Sequence, residues 1–155
     1  MNINKFTIKA QECIQDAQQL AFEQQNPSIE NAHILSSIFN QDDAIINFVF
    51  NKVGAQASRA KQANDALIKS LPKITAGTPT QSLSGACNTT LMQAEKLMGQ
   101  MGDEYVAIEH IILALIESKD AVGQLLRDAG VTFKAAEKAI ETLRAGNKVN
   151  SQSGG

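Results

Sequence analysis

The 155-residue sequence has no tryptophan, one tyrosine, three prolines and two cysteines, and charge of neither sign dominates. With 14 basic and 16 acidic residues, the formal net charge is −2, so the chain lacks the basic surface that follows nucleic-acid phosphates. Its apolar runs reach about six or seven residues, far fewer than the roughly 20 that span a bilayer. We therefore expect no nucleic-acid partner, no membrane partner and a cytoplasmic location.

The sequence also lacks the signatures of common cofactor sites. Cys13 and Cys87 lie far apart without CxxC spacing, which is typical of buried, reduced thiols. Two histidines and two cysteines that never form ligand pairs do not predict a metal site. Without a Gly-Lys dipeptide the chain cannot form a phosphate-binding P-loop. We expect no cofactor in this chain.

What the sequence does contain is an internal repeat. Matching residues recur in the same order along the two halves, at a shift of 77 residues that becomes 76 after one deletion. The aligned pairs include His33 with His110, Asp43 with Asp120, and Gly54 with Gly130. Their order over half of the chain indicates two copies of one structural unit.

Each half has the apolar spacing of four helices. The stripe from Phe6 to Ala21 recurs at i, i+3 and i+4, and Thr7 and Ser84 occupy equivalent positions as helix N-caps. Gly54 and Gly130 suit left-handed helix ends. The remaining helices are expected over residues 30–39, 43–53, 57–71, 107–117, 120–129 and 133–144.

These patterns predict an all-α fold of two pseudo-symmetric four-helix repeats packed as one domain. Repeat 1 is expected over residues 1–72, an inter-repeat linker over 73–82, repeat 2 over 83–146, and a flexible C-terminal linker over 147–155. The third helix of repeat 1 is apolar nearly all round, from Ile45 to Phe50. Such a helix either lies centrally or presents apolar surface to a partner.

The segment "GDEYVAIEH" gathers polar residues just before a helix and leaves three interpretations open. Asp103, Glu109 and His110 could form the acid–base corner of a hydrolase, a recognition surface, or an ordinary helix start. Asp103 suits a turn and Glu109 suits the first turn of a helix. His110 has an equivalent in His33, which indicates a structural role shared by the two repeats.

The segments "NKFTIKAQECIQDAQQLA", "GDEYVAIEHIILALIES" and "LPK", in this two-repeat arrangement, resemble the Clp N-terminal domain of ClpB-type AAA+ disaggregases. The resemblance covers residue 1 to about residue 147. It implies a substrate-recognition domain of an ATP-dependent chaperone, which binds exposed apolar segments of unfolded or aggregated polypeptides. ATP, Mg and the hexameric AAA+ rings would belong to the parent protein, so this chain is expected to be a binding domain and not an enzyme.

The resemblance also implies which residues handle substrate. Thr7, Asp103 and Glu109 match polar positions that the family associates with this role, and the adjoining apolar groove is assigned to Leu91, Tyr105 and His110. An adaptor-docking domain of the ClpA or ClpC kind is the main alternative, which predicts tight binding of one folded partner. If the chain were a small hydrolase, it would turn over a substrate. If it were a purely structural spacer, it would bind nothing measurable.

Overall fold

A computed structural model describes residues 2–41, 44–74 and 81–153. Its described residues form a short 3-10 turn, two two-residue strands and eight α-helices, none of them long and apolar enough to cross a membrane. The elements are the 3-10 turn Ile3–Lys5, α1 Ile8–Glu23, β1 Ser28–Ile29, α2 Asn31–Asn40, α3 Ala44–Val53, α4 Ala57–Ser70, β2 Ser82–Leu83, α5 Gly85–Gln100, α6 Ile108–Glu117, α7 Ala121–Asp128 and α8 Phe133–Arg144. The predicted all-α fold of two four-helix repeats is confirmed.

The ends of the helices follow from local chemistry. Thr7 and Ser84 are the N-caps of α1 and α5, and each hydroxyl accepts the backbone N–H three residues later, at 3.2 and 3.1 Å. Gly54 and Gly130 follow α3 and α7 with φ angles of 75° and 97°, a conformation that glycine adopts without strain. The predicted caps are therefore confirmed.

The two repeats exchange backbone contacts that the helical patterns did not predict. Strands β1 and β2 pair in parallel, with Ile29 opposite Leu83, and Phe6 forms a parallel bridge with Val106. The second pair is the pseudo-symmetric image of the first, since Val106 lies 77 residues after Ile29 and Leu83 lies 77 after Phe6. The chain entering the first helix of each repeat thus lies beside the chain entering the second helix of the other.

Helix α3 lies between the repeats. Ile46, Val49 and Phe50 are buried, and Ile45 and Phe48 are partly buried against the same core. Helix α3 packs on α8, as α4 packs on α7 in the equivalent position. The central placement explains its nearly all-round apolar character. The predicted start of this helix, Asp43, lies outside the described residues.

Both cysteines lie in the core. Cys13 is fully buried and its Sγ donates to the Ile34 carbonyl at 3.7 Å. Burial, together with the carboxylates of Glu30 and Asp120, raises the pKa of Cys87 to about 12. At neutral pH Cys87 is therefore a thiol and not a reactive thiolate.

Candidate functional site

Three of the predicted polar residues converge at the start of α6 around an arginine from α8. The Asp103 Oδ2 lies 2.7 Å from His110 Nε2 and 2.7 Å from Arg144 Nη1, while Arg144 Nε donates to Glu109 Oε2 at 3.0 Å. We call Asp103, Glu109, His110 and Arg144 the Arg144 cluster. It joins the loop before α6, the first turn of α6 and the last residue of α8.

His110 is held in place by the helix that carries it. The N–H of Ala107, the N-cap of α6, donates to His110 Nδ1 at 2.8 Å. In repeat 1 the N–H of Glu30 donates to His33 Nδ1 at 2.9 Å. In each repeat the histidine side chain therefore satisfies an otherwise unpaired amide at a helix start.

The Arg144 cluster contains an ionised carboxylate beside a neutral imidazole. Burial is the largest influence on His110 and lowers its pKa, outweighing the attraction of Asp103. Burial alone would raise the pKa of Asp103, but hydrogen bonds from Val149, Arg144 and His110 outweigh it and hold that pKa below its usual value. His110 accepts at Nδ1 and donates from Nε2, so neither ring nitrogen is free to act as a general base, and this geometry does not support the hydrolase alternative.

Repeat 1 builds the same corner without ion pairs. The positions equivalent to the Arg144 cluster are all buried there, and they are Asn26, Ala32, His33 and Ile68. As His110 Nε2 contacts Asp103 seven residues before it, His33 Nε2 contacts Asn26 Oδ1, also seven residues before it, at 2.8 Å. The fold therefore tolerates an apolar or neutral version of this corner, and its ionic version is specific to repeat 2.

Five of the six predicted substrate-binding residues are buried. Leu91 and His110 are 0% exposed, Thr7 is 1%, Glu109 is 5% and Asp103 is 6%, whereas Tyr105 is half-buried. Leu91 and His110 belong to the interior, so of the predicted groove only Tyr105 has exposed surface in this structure. The assignment of the six positions to substrate binding stays a prediction.

The structure adds an apolar surface beside Thr7 that the sequence reasoning missed. A cavity of about 370 Å³, the Ile8 groove, is lined by Thr7, Ile8, Lys9, Gln152 and Ser153. Ile8 is 51% exposed at the first position of α1. It falls outside the buried stripe of that helix. An isoleucine outside this stripe is the signal by which the sequence could have indicated the surface.

A larger cavity, of about 600 Å³, lies between α5 and the end of α6. Its polar rim includes Asp120, which caps α7 and accepts a hydrogen bond from Asn31 Nδ2 at 2.7 Å. Because the bond from Asn31 joins the two repeats, Asp120 has a structural role at this rim.

The segment after α8 lies against the domain. The sequence predicts a flexible linker over residues 147–155, and residues 147–153 of that range make hydrogen bonds to the domain in this structure. Val149 N–H donates to Asp103 Oδ1 at 2.9 Å and Glu104 N–H donates to the Val149 carbonyl at 2.8 Å. Further along, Ile8 N–H donates to the Gln152 carbonyl at 2.8 Å. These bonds and the burial of Val149, which is 6% exposed, hold the segment in place.

The inter-repeat segment is held in an equivalent way. Asn26 Nδ2 donates to the Pro72 carbonyl at 3.0 Å, as Asp103, the equivalent of Asn26, accepts from Val149. Lys73 and Lys148 each donate to a backbone carbonyl of the corresponding loop, both at 2.8 Å. The chain that follows the fourth helix thus packs onto its own repeat in both halves.

The first prediction concerns the cap of α1. Replacing Thr7 by alanine is expected to lower the free energy of unfolding by about 1 kcal/mol, because the Ala10 N–H loses its acceptor. Ser84→Ala removes the equivalent cap of α5 and should cost a similar amount. Urea unfolding of both variants measures the change, and an unchanged Thr7→Ala chain would contradict the capping role.

Comparison with known proteins finds similarity to Clp proteins over nearly the whole chain. The model of the Clp repeat (R) N-terminal domain matches residues 5–129. The chaperone protein ClpB of Bacteroides thetaiotaomicron is 42% identical over 153 residues, and that of Porphyromonas gingivalis is 39% identical over 153 residues. Each alignment covers 99% of this chain but 18% of the relative, so the chain spans about a fifth of the length of these relatives.

Solved structures agree on the fold. The N-terminal domain of Hsp104 from Candida albicans superposes with a TM-score of 0.85 at 21% identity, covering 97% of this chain and 98% of that one. The N-domain of ClpV from Vibrio cholerae has a TM-score of 0.77 at 15% identity, covering 96% and 90%. At these identities the similarity shows the architecture alone.

Proposed function

The chain belongs to the Clp N-terminal domain family, and from that premise we propose that it recognises exposed apolar segments of unfolded or aggregated polypeptides for a ClpB-type chaperone. The chain itself is a binding domain in this proposal. ATP hydrolysis, with its Mg, and assembly of a hexameric ring are assigned to the remaining parts of such a chaperone.

The observation that carries the proposal is the half-exposed Ile8 in a groove beside Thr7. An unfolded client presents apolar side chains together with unpaired backbone N–H and C=O groups. Ile8 offers apolar surface to the former, at roughly 25 cal/mol per Å² removed from water. A single half-exposed apolar side chain supports weak and promiscuous binding, which suits a domain that must release many different clients.

The Arg144 cluster supports the proposal through an unused acceptor. Glu109 Oε1 is buried and has no hydrogen-bond partner among the described residues, whereas Oε2 is held by Arg144. An unsatisfied buried carboxylate oxygen is costly. A client N–H reaches this oxygen only if the Glu109 side chain turns outward, and it then relieves that cost for any client sequence because every non-proline residue carries the donor.

Docking of a specific adaptor remains the second candidate. One solved neighbour is a complex of the ClpV N-domain with a VipB peptide, with a TM-score of 0.73 at 16% identity. That protein shows that this architecture can bind a defined peptide. Tight, stoichiometric binding of a single folded partner, with no binding of unfolded chains, would favour the adaptor function.

Two exposed apolar residues on α1 provide the test. Ile8→Asp is expected to weaken binding of reduced, carboxymethylated lactalbumin, a permanently unfolded polypeptide, roughly tenfold. Phe22, 48% exposed, lies near the other end of the same helix, about 21 Å along the axis. Phe22→Asp makes the same chemical change outside the groove and should leave the affinity unchanged. Fluorescence anisotropy with labelled polypeptide measures both, and equal affinities for the two variants would overturn the proposed location.

A further inference from the structure

We infer that segments 4–8 and 103–104 form a binding site for a non-helical peptide, and that residues 148–152 of the chain itself occupy this site. The inference rests on the proposed function for its biological meaning, since a client entering the site would have to displace the tail. Its structural content, a peptide site with an internal ligand, stands on the contacts of the tail alone.

The tail is held as a peptide ligand is held, through its backbone. Val149 uses both of its main-chain groups, the N–H on Asp103 and the C=O on Glu104. The Gln152 carbonyl accepts from the Ile8 N–H. Main-chain hydrogen bonds of this kind give affinity for a peptide without regard to most of its sequence.

One buried aliphatic side chain of the tail supplies specificity, together with side-chain hydrogen bonds from Lys148 and Gln152. Val149 is 6% exposed but lies outside the contiguous apolar core. Its neighbours Lys148 and Asn150 are exposed. Gln152 adds a side-chain hydrogen bond from its Nε2 to the Asn4 carbonyl at 2.7 Å. The site therefore fits a peptide with one aliphatic residue between polar neighbours.

The contacts that hold the tail are few: one buried valine, three main-chain hydrogen bonds and the side-chain bonds of Lys148 and Gln152. One buried valine and a few hydrogen bonds only partly offset the conformational entropy of ordering the tail. A second peptide can therefore exchange with the tail at this site. Its apparent affinity is lowered because only the fraction of molecules with a displaced tail can bind it.

A pair of charge substitutions tests the inference. Val149→Asp places a carboxylate in the aliphatic position, whereas Asn150→Asp adds the same charge at the exposed neighbour. Val149→Asp is expected to bind carboxymethylated lactalbumin roughly three- to tenfold more tightly than the parent chain, and to shift the amide resonances of Ile8 and Glu104 in the free protein. Asn150→Asp should match the parent chain in both measurements, and equal affinities of the two variants would overturn the inference.

A chain ending at Asn147 provides a second, independent arm. A synthetic peptide of residues 146–153 added to it should restore the amide shifts of Ile8 and Glu104, and the same peptide with aspartate in place of Val149 should not. Absence of those shifts overturns the inference, as does loss of native circular dichroism in both Val149→Asp and the shortened chain. If the peptide binds the shortened chain while lactalbumin binds neither chain, the peptide site is supported and the proposed client function fails.

Discussion

Replacing Arg144 by isoleucine is expected to lower the free energy of unfolding by about 3–5 kcal/mol, because two buried carboxylates lose their counter-charge. The side chains of Arg144, Asp103 and Glu109 are 10%, 0% and 6% exposed, so water cannot replace the arginine. Urea unfolding at pH 7 measures the loss. Arg59, exposed on α4, is the control, since Arg59→Ile should change stability by no more than about 0.5 kcal/mol.

Repeat 1 supplies the rescue variant for this experiment. The triple change Asp103→Asn, Glu109→Ala and Arg144→Ile copies the residues of the equivalent corner. It is expected to recover most of the lost stability, because replacing a complete buried ion-pair network by neutral side chains is often nearly neutral. A triple variant as unstable as Arg144→Ile alone would show that the corner cannot accept its repeat 1 counterpart. The same variant, if folded, removes both carboxylates from client binding, and weaker binding of unfolded polypeptide is expected.

Acidification is expected to destabilise the domain at pH values above those at which Asp103 is protonated. Burial lowers the pKa of His33 from 6.5 to about 4, so the unfolded chain takes up this proton first. The stabilising effect is complete above pH 6.5 and is lost as the pH falls towards the folded value. Between pH 7 and pH 4.5 His33 alone should remove about 2–3 kcal/mol of stability. The lowered pKa of His110 acts in the same direction.

The pH window separates the histidines from Asp103. The pKa of Asp103 is lowered from 3.8, so its contribution is lost only as the pH falls below that value, outside the window. Urea unfolding at pH 7, 5.5 and 4.5 gives the slope of the free energy of unfolding against pH. His33→Gln, which cannot titrate, should reduce this slope markedly. A variant that kept the full slope would show that His33 is not responsible.

The fold could be predicted closely because its signals are local. The stripes and caps predicted all the helices, and Thr7, Ser84, Gly54 and Gly130 determine ends that depend only on neighbouring backbone groups. The reciprocal contacts of the strands could not be predicted in the same way. A strand of two residues is too short to show the alternation of apolar and polar side chains by which strands are predicted. The bridge at Phe6 depends on how the repeats pack.

The candidate site was less predictable because its contacts are long-range. Arg144 reaches Glu109 and Asp103 across 35 and 41 residues of sequence, and its repeat 1 counterpart is an isoleucine. A glycine-rich, polar tail is typical of a tether, whereas its attachment depends on main-chain groups that composition does not reveal. Leu91 lies on the buried stripe of α5, and the exposed neighbour on that helix is Met92, which is 59% exposed.

The central claim is that the surface beside Thr7 captures unfolded polypeptide. An amide NMR titration of the chain with carboxymethylated lactalbumin, at several salt concentrations, tests it most directly. The account predicts micromolar to sub-millimolar affinity, with shifts that cluster at Thr7, Ile8, Glu104 and Tyr105 and extend into the tail at Val149. Shifts confined to another surface, or no shifts at any salt concentration, would contradict it.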